Sequence, residues 1–262
     1  MFQKNVQLTH LFILCIALEY TEAFYEHLLG LEMLDRNEGQ IFFRAGNCIL
    51  AVQRERVCVM PNTVSSFTVF ESCGNFDKEK LQRRGLSFEG PIEQQAGGRM
   101  TWFCGPYDHM HGLWETEARN QVPIALASAA SQSPRVAYYF LAVDDLKVAI
   151  PFYRDVLGLQ FIEAREGLYA LFNAGGIVLG LRQGRDAGAG IDAESWTVFE
   201  TSRCEEFYGE LERFGGYPLG IRSETHGKVY WFRSPGGHIQ CFHDPQPEYA
   251  LDSILKRSPM PA

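Results

Sequence analysis

The 262-residue sequence lacks the short motifs that commonly bind nucleotides or position a catalytic serine. It has no Walker loop, no G-x-G-x-x-G loop and no G-x-S-x-G elbow, which argues against P-loop enzymes, dinucleotide-binding folds and α/β-hydrolases. Basic runs are also missing, since 24 Lys and Arg residues stand against 32 Asp and Glu, a net charge of −8. We therefore expect neither nucleic acid nor an anionic membrane as a partner.

Cysteine pairs at metal or redox spacing and long apolar runs are absent as well. The seven cysteines are scattered, odd in number and without C-x-x-C spacing, which indicates reduced thiols and a cytoplasmic protein. The apolar run from Leu11 to Leu18 is too short to span a membrane. Because Glu19 follows it without a small-residue cleavage site, we interpret this run as a β-strand and not as a signal peptide.

What the sequence does contain is an internal duplication. Matching segments are 66–72 (SFTVFES) with 195–201 (SWTVFET), Phe24-Tyr25 with Phe152-Tyr153, 29–31 with 157–159 (both LGL), and Trp102-Phe103 with Trp231-Phe232. The offset stays at about 129 residues, the difference between positions 195 and 66. A repeat of this length corresponds to two whole domains, each with its own core.

Within each half, the order strand, helix and three strands occurs twice. In the first copy Thr21 is predicted to cap the helix, and Gly30 to end it in the left-handed conformation. Residues 117–134, rich in Ala, Ser, Gln and Pro, resemble a linker. The predicted boundaries are 1–118 for the first domain, 119–134 for the linker, 135–246 for the second domain and 247–262 for a tail.

These features resemble the vicinal oxygen chelate superfamily, which includes glyoxalases, extradiol dioxygenases and bleomycin- and fosfomycin-resistance proteins. The resemblance rests on the stretch from His10 through Phe24-Tyr25 to 29–31, on 152–159 (FYRDVLGL) and on 234–238 (SPGGH). It implies an α+β fold of four β-α-β-β-β modules, paired into two domains with curved, half-open mixed sheets. One fold of this kind hosts many chemistries, so it implies less about function.

The family's metal ligands lie on the first and last strands of its modules. By resemblance these positions fall at His10, Tyr138 and near Val64 and Ala193 for the first strands, and at Ala51, Gly112, Gly180 and Cys241 for the last strands. A hard divalent metal needs several His and carboxylate ligands, and His10 is the only residue of that kind among the eight. We therefore expect no cofactor, with a bound divalent metal as the less favoured outcome.

Strand alternation predicts which side chains share the face of His10. The predicted site consists of His10 and Tyr138 as proton-transfer groups, and of Phe12, Gln53, Ser66, Met110, Gly112, Trp114, Phe140, Gly180, Arg182, Ser195, Cys241 and His243 as ligand-binding residues. Apolar and aromatic walls with few polar groups are typical of cavities for organic ligands. Leu in place of Gly112 or Gly180 is expected to fill such a cavity without unfolding the domain. His109 and His111, followed by Glu115, have the spacing of a metal-ligand cluster, but they share the face opposite to Gly112 and His10. A structural or surface role is therefore favoured for both histidines.

The leading hypothesis is a small-molecule protein, monomeric or homodimeric, that lacks the usual metal ligands. It would bind a planar apolar or aromatic natural product or xenobiotic, or act on one as a metal-independent acid–base lyase, isomerase or cyclase. The alternative is a divalent-metal lyase, isomerase or extradiol-type dioxygenase that uses His10 with non-standard ligands. A third hypothesis is a scaffold in which packed side chains fill both cavities.

Overall fold

The fold is described from a computed structural model, which covers residues 6–54, 66–72, 78–95, 98–116, 133–187 and 190–257. Val64 and most of the predicted linker lie outside these ranges. Among the described residues no helix has the length and apolar character needed to cross a bilayer. The described chain is built from sixteen strands and short helices.

The first half contains one eight-stranded sheet. Its strands are β1 (Val6–Cys15), β2 (Glu32–Arg36), β3 (Gln40–Arg44), β4 (Ile49–Arg54), β5 (Ser66–Ser72), β6 (Phe88–Gln95), β7 (Gly98–Cys104) and β8 (Met110–Thr116). Its helices are α1 (Leu18–Ala23) and α2 (Lys78–Arg83). The strand order is β2-β3-β4-β1-β5-β8-β7-β6. The pairs β1–β4 and β5–β8 are parallel and the others antiparallel, so the sheet is mixed.

The second half repeats this arrangement strand for strand. Its strands are β9 (Arg135–Val143), β10 (Gln160–Arg165), β11 (Tyr169–Asn173), β12 (Val178–Gln183), β13 (Ser195–Glu200), β14 (Tyr217–Glu224), β15 (Gly227–Arg233) and β16 (Ile239–Pro245). Its helices are α3 (Leu146–Pro151), α4 (Cys204–Glu210) and α5 (Leu251–Leu255). The order β10-β11-β12-β9-β13-β16-β15-β14 confirms the predicted α+β fold of two matching halves.

The first helix of each half contains the repeated Phe-Tyr pair in a wider, π-helical turn. In the first half this turn is Phe24–Leu28 and in the second it is Phe152–Val156. Gly30 ends the first of them at a φ of 65°, as predicted. The predicted cap was wrong: α1 begins after Ala17, and the Thr21 hydroxyl donates to the Ala17 carbonyl from inside the helix.

The two halves share one core. One face of each sheet packs with the helices against the other half, and we call it the shared face. The backbone N–H of Leu8 donates to Ala174 O (2.7 Å), and that of Val136 donates to Ala45 O (3.0 Å). Gly46 lies beside this contact with a φ of 73°, and a Cβ there would stand 2.6 Å from Arg135 Cβ. Close approach of the halves therefore requires glycine at this turn.

The opposite face of each sheet carries a separate apolar cluster, and we call it the cup face. In the first half its centre is Phe12, Ala51, Val69 and Met100. In the second half the cluster is larger and includes Tyr138, Val178, Trp196, Val198, Trp231 and Cys241. The candidate functional residues divide between these cup faces and the shared face.

Candidate functional site

The cup face of the first half carries a platform of aromatic rings. Phe12 and Phe67 are stacked, with centroids 4.5 Å apart and planes 10° from parallel. Trp102 meets Phe67 edge to face at 5.2 Å, and Phe42 meets Phe12 in the same way at 6.2 Å. Trp114 packs against the same cluster. Phe12 is buried, whereas the other four rings are half-buried, so the platform presents aromatic surface to solvent.

His10 lies next to this platform, as predicted for a residue two positions before Phe12. The two rings are 6.2 Å apart and 28° from parallel. The Thr9 hydroxyl lies 2.9 Å from Nδ1 of His10 and 3.5 Å from Val69 O. Burial lowers the pKa of His10 to about 4, and the imidazole is neutral at pH 7.

The cup face of the second half carries the equivalent rings. Phe140 lies 5.0 Å from Trp196 and 9° from parallel, and Tyr138 is stacked with Phe140 at 6.0 Å. Trp231 meets Trp196 edge to face at 6.4 Å. A Cβ placed on Gly180 would stand 2.3 Å from the ring of Phe140. The Phe140 ring therefore occupies the space that a side chain at this family ligand position would need.

The C-terminal segment 247–257 covers this second cup. Leu251 and Ile254 are buried in the cluster, and the Tyr138 hydroxyl donates to Tyr249 O at 3.0 Å. The backbone N–H of Leu251 donates to Glu200 Oε2 at 2.8 Å. The predicted tail is thus packed on the domain that it follows. Burial raises the pKa of Tyr138, so the proposed proton-transfer group stays neutral and bonded to the segment.

Ion pairs also bind segment 247–257 to the sheet of the second half. Arg135 contacts Glu200 (2.5 Å) and Asp252 (3.2 Å), which lie on β13 and α5. Arg257 contacts Glu163 on β10 at 2.9 Å. Since the segment is held by ion pairs, hydrogen bonds and apolar burial together, the second cup is closed.

The family's ligand positions do not form a metal site in either half. Register places Val69 opposite His10 and beside Gly112, and it places Val198 opposite Tyr138 and beside Cys241. Valine and glycine side chains offer no donor atom. Throughout the described ranges no group of three or more His, Cys, Asp or Glu residues could hold a metal ion. The residues present do not fit the family's metal.

Two of the predicted positions are not on a described strand of the sheet. Val64 lies outside the described residues, and Ala193 lies before β13, which begins at Ser195.

Ser66 and Ser195 are on the shared face, which corrects their predicted place beside His10. Ser66 Oγ lies 2.9 Å from the Tyr139 hydroxyl and 2.8 Å from Ser195 Oγ, across the boundary between the halves. Thr68 follows the same face and bonds His111 Nδ1 at 2.6 Å. Both faces of β5 carry buried or half-buried side chains, so the polarity pattern of β5 could not show which face carried Phe67 and which carried Ser66.

The remaining predicted residues have the following surroundings. Gln53 accepts from Gln40 Nε2 at 3.0 Å, and Arg182 pairs in register with Tyr169. His243 lies 3.1 Å from the ring nitrogen of His226, and burial lowers its pKa to about 4. Burial raises the pKa of the Cys241 thiol far above its usual range, which makes this cysteine a buried, inert group. Met110 begins β8 and lines a cavity between the halves.

The prediction that leucine at Gly112 or Gly180 fills an empty cavity is overturned. At Gly112 a Cβ would already stand 2.8 Å from Met100 Sδ and 3.1 Å from Val69 Cγ2. At Gly180 it would meet the Phe140 ring. Both positions sit beneath packed side chains, so a leucine at either would strain the fold.

A cavity of about 400 Å³ lies between the halves, on the shared face. It is lined by Ser66, Thr68, Tyr107, Asp108, His109, Met110, His111, Tyr139, Leu141, Ala142, Asp144, Arg185, Glu194 and Ser195. Its volume is within the range of small-molecule sites. The sequence interpretation had assigned His109 and His111 a structural or surface role, and neither alternation nor the repeat indicated a cavity here.

The histidines of this cavity are held by the opposite half. His109 Nε2 lies 2.6 Å from Ala142 O, and His111 Nε2 lies 3.0 Å from the Tyr153 hydroxyl. The counterpart His238 contacts Leu14 O at 2.6 Å in the same way. Burial lowers the pKa of both His109 and His111, so both are neutral at pH 7.

Comparison with known proteins agrees with this architecture. The Glyoxalase/Bleomycin resistance protein/Dioxygenase superfamily matches residues 135–248 by sequence. No curated protein matches the chain. The fold is similar to that of the Mn(II)-bound glyoxalase from Novosphingobium aromaticivorans, with a TM-score of 0.65 at 12% identity, covering 94% of this chain and 90% of that one.

A second similar structure is the 2,3-dioxygenase LapB from Pseudomonas sp. KL28. Its TM-score is 0.61 at 14% identity, and the match covers 98% of this chain and 96% of that one. A catechol 2,3-dioxygenase gives a TM-score of 0.62 at 13% identity, with 94% and 90% covered. At these identities the likeness shows a shared fold, and the activities in these titles belong to those proteins.

Proposed function

We propose that this chain is a member of the vicinal oxygen chelate superfamily whose first cup binds a flat, conjugated organic compound without a metal. The compound would lie on the platform of Phe12, Phe42, Phe67, Trp102 and Trp114. The observation that carries the proposal is the contrast in cover: these rings are half-buried except for Phe12, whereas segment 247–257 closes the equivalent rings of the second half. Half-buried aromatic surface of this extent is typical of a binding site.

Stacking energies favour an aromatic ligand over an aliphatic one. An offset or edge-to-face ring pair contributes about 0.5–1.5 kcal/mol beyond the area it buries. A ligand on this platform would reach several such rings without displacing a packed side chain. A natural product or xenobiotic with a fused or conjugated ring system fits this surface.

His10 supplies the polar contact in the proposed complex. Because its imidazole is neutral, one ring nitrogen is unprotonated and would accept a hydrogen bond from a phenol or another O–H or N–H group of the ligand. His10 would be a weak base, since a pKa of about 4 makes full transfer of a proton from a phenol to the imidazole unfavourable. The donor sets of the ligand positions give no support to the alternative of a divalent-metal enzyme.

Fluorescence offers a direct test, because all four tryptophans belong to the cups. Trp102 and Trp114 are in the first, and Trp196 and Trp231 are in the second. Titration with flavonoids, anthraquinones and aromatic antibiotics should quench the first pair. A Trp102→Phe, Trp114→Phe variant should lose this response, whereas Trp196→Phe should keep it.

Calorimetry and metal analysis complete the test. Trp102→Ala should weaken binding of the best compound by about tenfold, since one stacked ring contributes about 1.5 kcal/mol. Loss of binding in Trp196→Phe alone, or the absence of binding by every compound, would reject the first cup as the site. A transition metal retained at one equivalent after dialysis, and lost in His10→Ala, would instead favour the divalent-metal enzyme.

A further inference from the structure

The cavity between the halves has a floor of uncharged hydrogen-bonding groups. Ser66, Ser195 and Tyr139 form a chain of hydroxyls with separations of 2.8 and 2.9 Å. Each hydroxyl oxygen has two lone pairs, so the group keeps acceptor sites for a donor on a ligand. Thr68 and His111 extend the floor through their 2.6 Å contact. Such a surface suits a ligand that carries hydroxyl groups.

The rim of the cavity is charged and predominantly acidic. Asp108, Asp144 and Glu194 contribute three carboxylates, and Arg185 contributes the single guanidinium. Arg185 is paired with Glu194 and lies 3.4 Å from Asp192. No ion pair between described residues involves Asp108 or Asp144, so two negative charges at the mouth remain uncompensated. The rim therefore favours a cation over an anion.

The rim loop is built differently from its counterpart in the second half. Tyr107 and Asp108 have left-handed backbone conformations, with φ of 62° and 59°. The positions 129 residues later are Gly236 and Gly237, and Gly237 has a φ of 88°. At the position equivalent to Asp108 the second half thus has a glycine, which adopts the left-handed conformation without strain. The first half holds two side chains there at a conformational cost.

The side chains of Tyr107 and Asp108 both contribute to the cavity. The Tyr107 hydroxyl donates to Asp145 O (3.2 Å) and accepts from Asp145 N (2.9 Å), which ties the rim loop to the start of α3 in the other half. Asp108 adds a carboxylate to the mouth. The strained turn therefore joins the halves across the cavity and charges its entrance, neither of which a Gly-Gly turn would do.

We infer that this interdomain cavity is a second binding site, separate from the first cup, for a small hydroxylated amine such as an amino sugar. The ammonium group lies between Asp108 and Asp144, and the hydroxyl groups of the ligand reach Ser66, Ser195 and Tyr139. Arg185 remains with Glu194 at the opposite side of the mouth.

The test compares three hexoses of similar shape and different charge on the full chain. Isothermal calorimetry with glucosamine, glucose and glucuronate, at low salt and pH 7, should give that order of affinity. Loss of the amine should weaken binding by about two- to fivefold for each carboxylate that it contacts. Equal affinity for all three, or tighter binding of glucuronate, overturns the charge argument; the absence of binding by all three overturns the site.

Three variants distinguish an effect on the cavity from an effect on the stability of the whole fold. Asp108→Gly copies the second half's turn and removes a rim charge, so it should weaken glucosamine binding about two- to fivefold and leave the unfolding midpoint equal or higher. Asp35→Asn removes an exposed carboxylate from β2 and should leave glucosamine binding unchanged. Ser195→Phe should abolish binding by filling the floor, and its circular dichroism spectrum checks that it folds.

Independence from the first cup is the last requirement. Trp102→Ala should leave glucosamine affinity unchanged. If Trp102→Ala weakens glucosamine binding as much as Asp108→Gly does, the sugar binds in the cup and the interdomain site is rejected. If Asp108→Gly and Asp35→Asn behave alike, the rim plays no part and the inference fails.

Discussion

The cup faces of the two halves carry equivalent aromatic residues but differ in how far these residues are buried. His10, Phe12, Phe67 and Trp102 in the first half correspond to Tyr138, Phe140, Trp196 and Trp231 in the second. In the second cup Trp196 and Trp231 are 4% and 5% exposed beneath segment 247–257. In the first cup Phe67 and Trp102 are half-buried. The same stack of rings is therefore a core in one half and a surface in the other.

This contrast shows how a duplicated domain can change one copy without altering its topology. In the second half the segment 247–257, carrying Leu251 and Ile254, covers the aromatic wall and makes it packed interior. The first half has no equivalent among its described residues. Four experiments would break or sharpen the contrast.

The largest expected effect on stability comes from replacing Trp231 of the second half, compared with its equivalent Trp102 of the first half. Trp231→Ala should lower the free energy of unfolding by about 3–5 kcal/mol, because it leaves a cavity in a closed core. Trp102→Ala should lower it by about 1–2 kcal/mol, since that ring keeps part of its surface in water. Urea denaturation followed by circular dichroism measures both. Similar losses in the two variants would mean that the cups are equally closed.

The cover of the second cup can be loosened through one side chain. Leu251→Ala should lower the free energy of unfolding by about 2–4 kcal/mol, because Leu251 is fully buried. In a Trp102→Phe, Trp114→Phe background it should also raise acrylamide quenching of the remaining tryptophans. Lys256→Ala, an exposed neighbour, should change stability by less than about 0.5 kcal/mol. Unchanged quenching in Leu251→Ala would show that the segment does not shield the rings.

His10 in the first cup should make the free energy of unfolding depend on pH between 4 and 8. Its counterpart Tyr138 should not. The folded pKa of His10, about 4, is below the 6.5 of the unfolded chain. The neutral His10 therefore contributes fully to the free energy of unfolding above pH 6.5. This contribution is lost as the pH falls from 6.5 towards 4, because protonation then favours the unfolded chain.

His10→Gln should remove this part of the acid destabilisation, roughly 2–3 kcal/mol at most. Urea midpoints measured between pH 4 and pH 8 give the slope for each chain. Buried histidines elsewhere, such as His238 and His243, titrate in both proteins and cancel in the difference. Parallel slopes for the variant and the parent would mean that His10 is solvated.

The smallest effect should come from the two glycines at the family's ligand positions. Gly180→Ala places a methyl group 2.3 Å from a ring that is stacked with two others, and we expect a loss of about 2 kcal/mol. Gly112→Ala meets Met100 Sδ at 2.8 Å, and the flexible methionine can move, so the loss should be about 1 kcal/mol or less. The reverse order, measured by thermal unfolding, would contradict the tighter packing of the second cup.

Much of the fold could be predicted from local patterns. The 129-residue repeat predicted two sheets of one topology, and Gly30 marked the end of its helix. Alternation correctly put Phe12, Ala51 and Gly112 on one face. It failed for Ser66 and Ser195 because both faces of β5 and β13 carry buried or half-buried side chains. The pairing offset between strands, including its bulges, is a long-range property.

The candidate site was only partly predictable for the same reason. Phe67 and Trp102 stood in the repeated segments, yet nothing in the sequence related them in space to Phe12. The cavity beside His109 depends on the way the halves pack, which no pattern within either half reports. The closing segment 247–257 looked like a tail because its few apolar residues have a role only when the second cup lies beneath them.

The sequence by itself determined that the protein has two matching α+β halves, since equal element lengths and the recurring Phe-Tyr and Leu-Gly-Leu segments require the same topology twice. It also determined that His10 is the only residue of the usual ligand type among the family's metal positions as aligned from sequence. Tertiary structure decided that segment 247–257 closes the second cup, that four rings of the first cup are half-buried, and that a polar cavity lies between the halves. Those features arise from contacts between segments far apart in the chain, where burial of apolar surface and pairing of polar groups are settled together.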